Sequence, residues 1–165
     1  MPLITERPIV SKISDEIFAR LVELVAVPND TFTFRDVVRP TKRATYMPEH
    51  GLIVLTRGEV IRVTDLDCPG NPPAIAWQQT FLIRVHIAPS EKDHTPIERF
   101  EDVAEAEIVK AIRTDGTWHT FDGNAINADF GPVQMAVSDG GYDGISIPLN
   151  VTYRVVEGDP YTLRG

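Results

Sequence analysis

The segment AIAWQQTFLIRVHIA, residues 74–88, alternates its side chains along nearly its whole length. Trp77, Phe81, Ile83, Val85 and Ile87 fall on one side, and Gln78, Thr80, Arg84 and His86 on the other. Gln79 interrupts the apolar face once. A period of two is the signature of a strand. One apolar and one polar face fit an antiparallel sheet that is covered on one side, its other side nearer water or a partner.

Working outward, GLIVLTRGEVIRVTDL, residues 51–66, reads as a second long strand with an irregularity at Arg57-Gly58-Glu59. A glycine inside a strand marks a bulge or tight turn. DCPGNPP, residues 67–73, is a turn by composition. Upstream, TFTFRDVV, residues 31–38, predicts a strand with Phe32 and Phe34 on one face. RPTKRATYMPEHG, residues 39–51, has two prolines and little pattern; loops of this length in a compact domain are usually functional or mobile. Downstream, residues 130–141 hold a strand with Val133, Met135 and Val137 on one face, turned by Gly140-Gly141 and Asp143-Gly144. The closing strand sets Ile145, Ile147, Leu149, Val151, Tyr153 and Val155 against Ser146, Pro148, Asn150, Thr152 and Arg154. Proline cannot donate to a ladder, so Pro148 predicts an edge position or a bulge.

Two helices complete the pattern. The first is predicted from an N-cap at Ser14, with Ile13 and Phe18 as a hydrophobic staple and Ile17, Phe18, Leu21, Leu24 and Val25 as its stripe. The second opens on Thr95-Pro96-Ile97-Glu98, a capping box with proline at the first helical position. Phe100, Val103, Ala104, Ile108, Ala111 and Ile112 line one of its faces. The expected fold is α+β: an antiparallel or mixed sheet with two main helices packed on one face. Residues 1–12 read as an N-terminal arm, and 13–165 as one domain.

Composition narrows the function. A net charge of −8 with scattered basic residues argues against tight binding to nucleic acid phosphates. No apolar run approaches the roughly 20 residues of a membrane span. The start of the chain lacks a signal-peptide pattern. The single Cys68 excludes an internal disulfide and fits a reducing compartment.

Chemistry is sparse. There is no Gly-rich phosphate loop, His-Glu-x-x-His or Gly-x-Ser-x-Gly. His50, His86, His94 and His119 are widely spaced, and Asp139 and Asp143 lie among glycines without the oxygen spacing of a calcium loop. Neither a metal nor a cofactor nor enzymatic activity is expected. Glu98, Glu101, Asp102 and Glu105 form an acidic row on the second helix, read either as a solvated face or as one meeting a basic partner or a negatively charged passage. Glu107 falls inside the apolar arc of that helix. Either its stem packs at the edge with the carboxylate in water, or it pairs across a subunit contact.

VTYRVVEGDPY, residues 151–161, resembles the C-terminal signature of the phage tail terminator, or tail-completion, family: a V-x-Y-R strand followed by a Gly-Asp-Pro corner. The order of elements is similar to that family over most of the chain, including an Asp- and Gly-containing linker at RTDGTWHTFDGNA, residues 113–125. The long 39–50 loop and the N-terminal arm depart from it. The resemblance implies a virion protein at the head-proximal end of the tail, assembled in the host cytoplasm. It implies a homo-oligomeric ring, typically a hexamer, that caps the tail tube, ends its polymerisation and presents a joining surface to a head-completion or connector protein. Such a chain is compatible with a monomer in isolation, its ring closing on the tube as template. DNA passes through the lumen without specific binding. A tail tube subunit, another head-completion protein and a small cytosolic enzyme are the alternatives. The candidate interface residues are Arg39, Lys42, Arg43, Tyr46, Glu107, Pro148, Gly158, Asp159, Pro160 and Tyr161; Glu98, Glu101, Asp102 and Glu105 are the candidate lumenal acids. In the corner, Gly158 permits the bend, Asp159 bonds back to the backbone, Pro160 ends the pairing and Tyr161 anchors.

Overall fold

In a computed structural model of the chain, which describes residues 7–40 and 49–163, two α-helices pack on one face of a seven-stranded mixed sheet. The sheet is built on β3 (Ala74–His86) and β6 (Gly141–Val156), antiparallel from Ala74↔Val156 to His86↔Gly144. Their alternation does what the sequence requires. Phe81, Ile83, Val85, Ile145, Ile147, Leu149 and Val151 enter one core with the helices. On the opposite face, Thr80 Oγ1 donates to Asn150 Oδ1 at 2.7 Å.

β2 (Leu52–Arg62) pairs with the other side of β3, and its register slips between Arg57 and Val60, where the irregularity is expected. Gln79 explains its own place on the apolar face. Its side-chain amide donates to the carbonyls of Gly58 and Glu59, both at 3.1 Å, and so satisfies the backbone that the bulge frees from the ladder.

β1 is only Asp36–Val38, and it runs parallel to β2. Parallel neighbours need a crossover of about a dozen residues rather than a hairpin. The length of the 39–51 segment follows from that requirement. Phe32 and Phe34 are buried, but upstream of the strand: Asn29 Oδ1 accepts from the backbone N–H of Thr31 and Phe32 and turns the chain there. His50 closes the same corner, its ring edge-on to Phe32 and Phe100, and its Nδ1 accepts the backbone N–H of Ala88 at 3.0 Å. Burial lowers the His50 pKa, against an opposing pull from Asp93, and so favours the neutral ring that this acceptor role needs.

α1 spans Ile9–Val22, so the helix begins within the expected arm. Pro8 precedes it and its carbonyl accepts from Ser11 and Lys12. Ile9, Ile13, Ile17 and Leu21 then make one i, i+4 stripe, every member buried. That stripe outweighs the capping potential of Ser14, which is buried within the helix. α2 spans Ile97–Ile112 with the expected apolar face, but without the capping box. Asp93 accepts both the backbone N–H and the hydroxyl of Thr95, which takes that side chain away from the helix end.

Beyond α2 a turn at Trp118–Thr120 leads to β4 (Asn127–Phe130) and β5 (Gln134–Ser138). β5, β4 and finally β7 (Asp159–Leu163) pair in tandem with the far side of β6. Pro148 therefore lies inside the sheet, neither at an edge nor at a bulge. Its carbonyl accepts from Gly131 at 2.9 Å, so its missing N–H faces the gap between β4 and β5, where no ladder bond is lost. The Gly-Asp-Pro corner is likewise no stop. Gly158, at φ +77°, turns a hairpin, and pairing resumes to Leu163. Pro160 follows the paired Asp159 on an edge strand, so its missing donor falls on the outer side.

Candidate assembly surfaces

The two edges of the sheet differ from its well-covered centre. β1 covers β2 only over Leu52–Val54. Past that point, among the described residues, β2 has no outer strand, and Val60 and Ile61 are 51% and 44% exposed. At the opposite edge, β5 pairs only with β6, and Met135 and Val137 are 67% and 66% exposed. Neither pair contributes to the core. Large apolar side chains held this open on ordered strands are the kind of surface that associates.

Between these edges the charges are unevenly placed. Beside the first turn of α1, Arg7, Arg39 and Arg57 surround the single carboxylate of Asp15 and the hydroxyls of Ser11 and Ser14, in an open recess of about 330 Å³. Arg7 and Arg39 both donate to Asp15, Arg39 at 2.7 Å, and Arg57 donates to Ser11 Oγ at 3.1 Å. The Arg39 guanidinium also lies 4.4 Å from the centroid of the Phe18 ring. Partial burial works against the Asp15 carboxylate, but the hydrogen bonds from Arg39 and Arg7 outweigh it and hold its pKa below the ordinary range. A second recess, of about 460 Å³, gathers Glu16, Glu23, Asp115 and Asp122 around Arg20.

The candidate residues from the sequence divide among these places. Arg39 belongs to the basic recess; Lys42, Arg43 and Tyr46 lie outside the described residues. Glu107 is half-buried and lines a small cleft with Leu24, Phe32 and Phe34. Of the acidic row, Glu98, Asp102 and Glu105 are exposed. Glu101 is not a free surface charge: it accepts the Tyr142 hydroxyl at 2.7 Å and ties α2 to the start of β6. Burial, reinforced by that bond, pushes the Tyr142 pKa up. Asp159 accepts the Thr162 hydroxyl and the Tyr161 backbone N–H, which lower its pKa and set the β6–β7 turn.

No protein-family model and no curated protein matches this chain. Among the described residues, no three His, Cys, Asp or Glu side chains stand where they could hold a metal. His94 precedes α2 and His119 follows it, so the sixteen-residue helix, about 24 Å long, separates them. His86 is buried on β3. None of the described helices is long and apolar enough to cross a membrane.

Sequence reasoning missed Arg7, Arg57 and the openness of β5. The apolar alternation of Val133, Met135 and Val137 was visible, but it points equally to a core face or an exposed one. Only the positions of α1 and α2 decide between them.

Proposed function

We propose that this chain is a structural subunit of a phage tail: it closes into a ring on the end of the tail tube, stops tube growth and offers the joining surface for a head-side connector. The observation that carries this reading is the pair of exposed apolar strand segments at opposite edges of one sheet. Two different patches on one subunit make a heterologous contact, and such contacts generate rings when the rotation closes. The closing segment VTYRVVEGDPY adds the family resemblance. The exposed Glu98, Asp102 and Glu105 are candidates for a lumen wall that repels phosphates and lets DNA slide. Replacing these three with Gln is expected to leave ring assembly intact and slow DNA passage; unchanged ejection by such virions would remove the lumenal role.

The direct test mixes the purified chain with tail-tube subunits and reads tube length by electron microscopy. Tubes of arrested length carrying a terminal ring are expected. Unrestricted tube growth would overturn the reading, and long tubes formed by this chain alone would make it a tube subunit instead. Val60→Lys and Met135→Lys are each expected to fold normally, since exposed substitutions usually shift stability by about 0.5 kcal/mol or less. Each should nonetheless abolish arrest. Full arrest by both variants would show that these edges are not the contact.

A further inference from the structure

The basic recess beside α1 carries more positive charge than it neutralises: three arginines against one aspartate, in a chain whose net charge is −8. Its arginines are already oriented. Arg39 is held by Asp15 and the Phe18 ring, and Arg57 by Ser11. Guanidinium groups arranged in this way suit a carboxylate, which they can bind in a planar, paired geometry.

We propose that this recess receives Asp139, at the tip of the β5–β6 hairpin, from a second copy of the chain. The proposal rests on the ring reading and specifies its contact. Three observations support it. First, the recess lies on the β1–β2 side of the sheet, because Arg39 follows β1 and Arg57 lies on β2, whereas the hairpin forms the opposite edge. A contact between them is heterologous and repeats in one direction.

Second, both partners are accessible. The recess is open, and Asp139 is exposed on a tight turn in which Gly140 N–H donates to Ser138 Oγ and Gly141 takes φ +104°.

Third, the spacing fits. Val60 and Ile61 lie beyond Arg57 on β2 by two and three ladder positions, because the bulge takes up one residue, or roughly 7–10 Å at about 3.3 Å per position. Met135 and Val137 precede Asp139 on β5 by roughly 7–13 Å on the same scale. When Asp139 reaches the arginines with the two strands antiparallel, the exposed apolar pairs come level with each other.

The test compares the full chain with Asp139→Arg, Arg57→Asp and the double variant that carries both. Each is scored by sedimentation velocity at low and high salt, and by arrest of tail-tube subunits. Each single variant is expected to weaken self-association roughly 100-fold, as for truncating or reversing one member of an interfacial charge pair. The double variant should recover most of that loss, and salt should weaken the native chain. Thermal melts separate misfolding from lost contact, and both positions are exposed. If the chain sediments as a monomer, the arrest assay carries the same comparison. Association or arrest indifferent to all three variants would overturn the Asp139 contact and leave the ring standing. Neither association nor arrest by the native chain would overturn both.

Discussion

Gly144→Ala is expected to cost about 4 kcal/mol or more, a large part of the 5–15 kcal/mol that holds a typical domain together. Gly144 lies in β6 opposite His86, with φ +138°, a backbone region that L side chains rarely adopt. A Cβ built there would stand 1.9 Å from the carbonyl oxygen of Val85 and 3.0 Å from the backbone nitrogen of Ile87. These atoms belong to β3 and the residue following it, so no side-chain rotation relieves the overlap. Relief requires parting β3 from β6 at the pairs Val85↔Ile145 and His86↔Gly144. Urea denaturation of the variant reads the loss, and Gly158→Ala supplies the control. Gly158 has φ +77° but open space around its missing Cβ, so only the left-handed backbone is penalised, at about 1–2 kcal/mol. Equal stability of the two variants would mean that β3 and β6 do not pair in this register. In the proposed ring contact the site would also set the position of Asp139, because Gly144 lies where the β5–β6 hairpin leaves the body of the sheet.

The long strands were legible because a period of two sustained over β3 and β6 leaves only one face that a core can cover. The second helix was legible for the equivalent reason, a stripe at helical spacing. What stayed hidden has a physical cause in each case. The start of α1 is read from Ser14 alone, whereas in the fold Ile9 and Ile13 extend the buried stripe of Ile17 and Leu21 one turn further back, and that burial decides the helix start. The capping box at Thr95 failed because Asp93, two residues upstream, takes the same groups. Pro148 and Pro160 forbid one hydrogen bond each, and local sequence does not say on which side of a strand that bond would fall. The direction of β1 was invisible in TFTFRDVV, and the length of the 39–51 segment, read as a functional or mobile loop, is what a parallel neighbour needs. At the candidate surfaces, the acidic row was legible on α2, but the engagement of Glu101 with Tyr142 joins residues 41 positions apart. The arginines of the basic recess come from the chain before α1, from the end of β1 and from β2, so no spacing announces them.

Arg20→Ala is expected to lower stability by about 3 kcal/mol, and the thermal midpoint by roughly 6–12 °C for a chain of this size. The Arg20 side chain is only 12% exposed. Its Nη1 donates to the carbonyl of Ile112 at 2.7 Å and to that of Trp118 at 3.3 Å, and its guanidinium lies 4.8 Å from the centroid of the Phe121 ring. Ile112 ends α2, where carbonyls lack helical partners and the dipole favours a cation. One side chain of α1 thus closes the end of α2 and fixes the turn that follows, in which Phe121 is fully buried at φ +44°. Alanine leaves both carbonyls without this donor. Arg20→Lys should recover part of the loss, since an ammonium is a point charge that cannot reproduce the fork. Glu16→Gln should cost less than about 1 kcal/mol, because the Glu16–Arg20 pair is a partly exposed i, i+4 contact. Calorimetry of the three variants gives the order, and an Arg20→Ala loss no larger than that of Glu16→Gln would show that Arg20 does not join the helices. Arg20 lines the acidic recess and neither strand edge nor the arginine recess. Under the proposed function, Arg20→Ala well below its melting point should therefore still arrest tail tubes, which separates holding the fold from the proposed assembly.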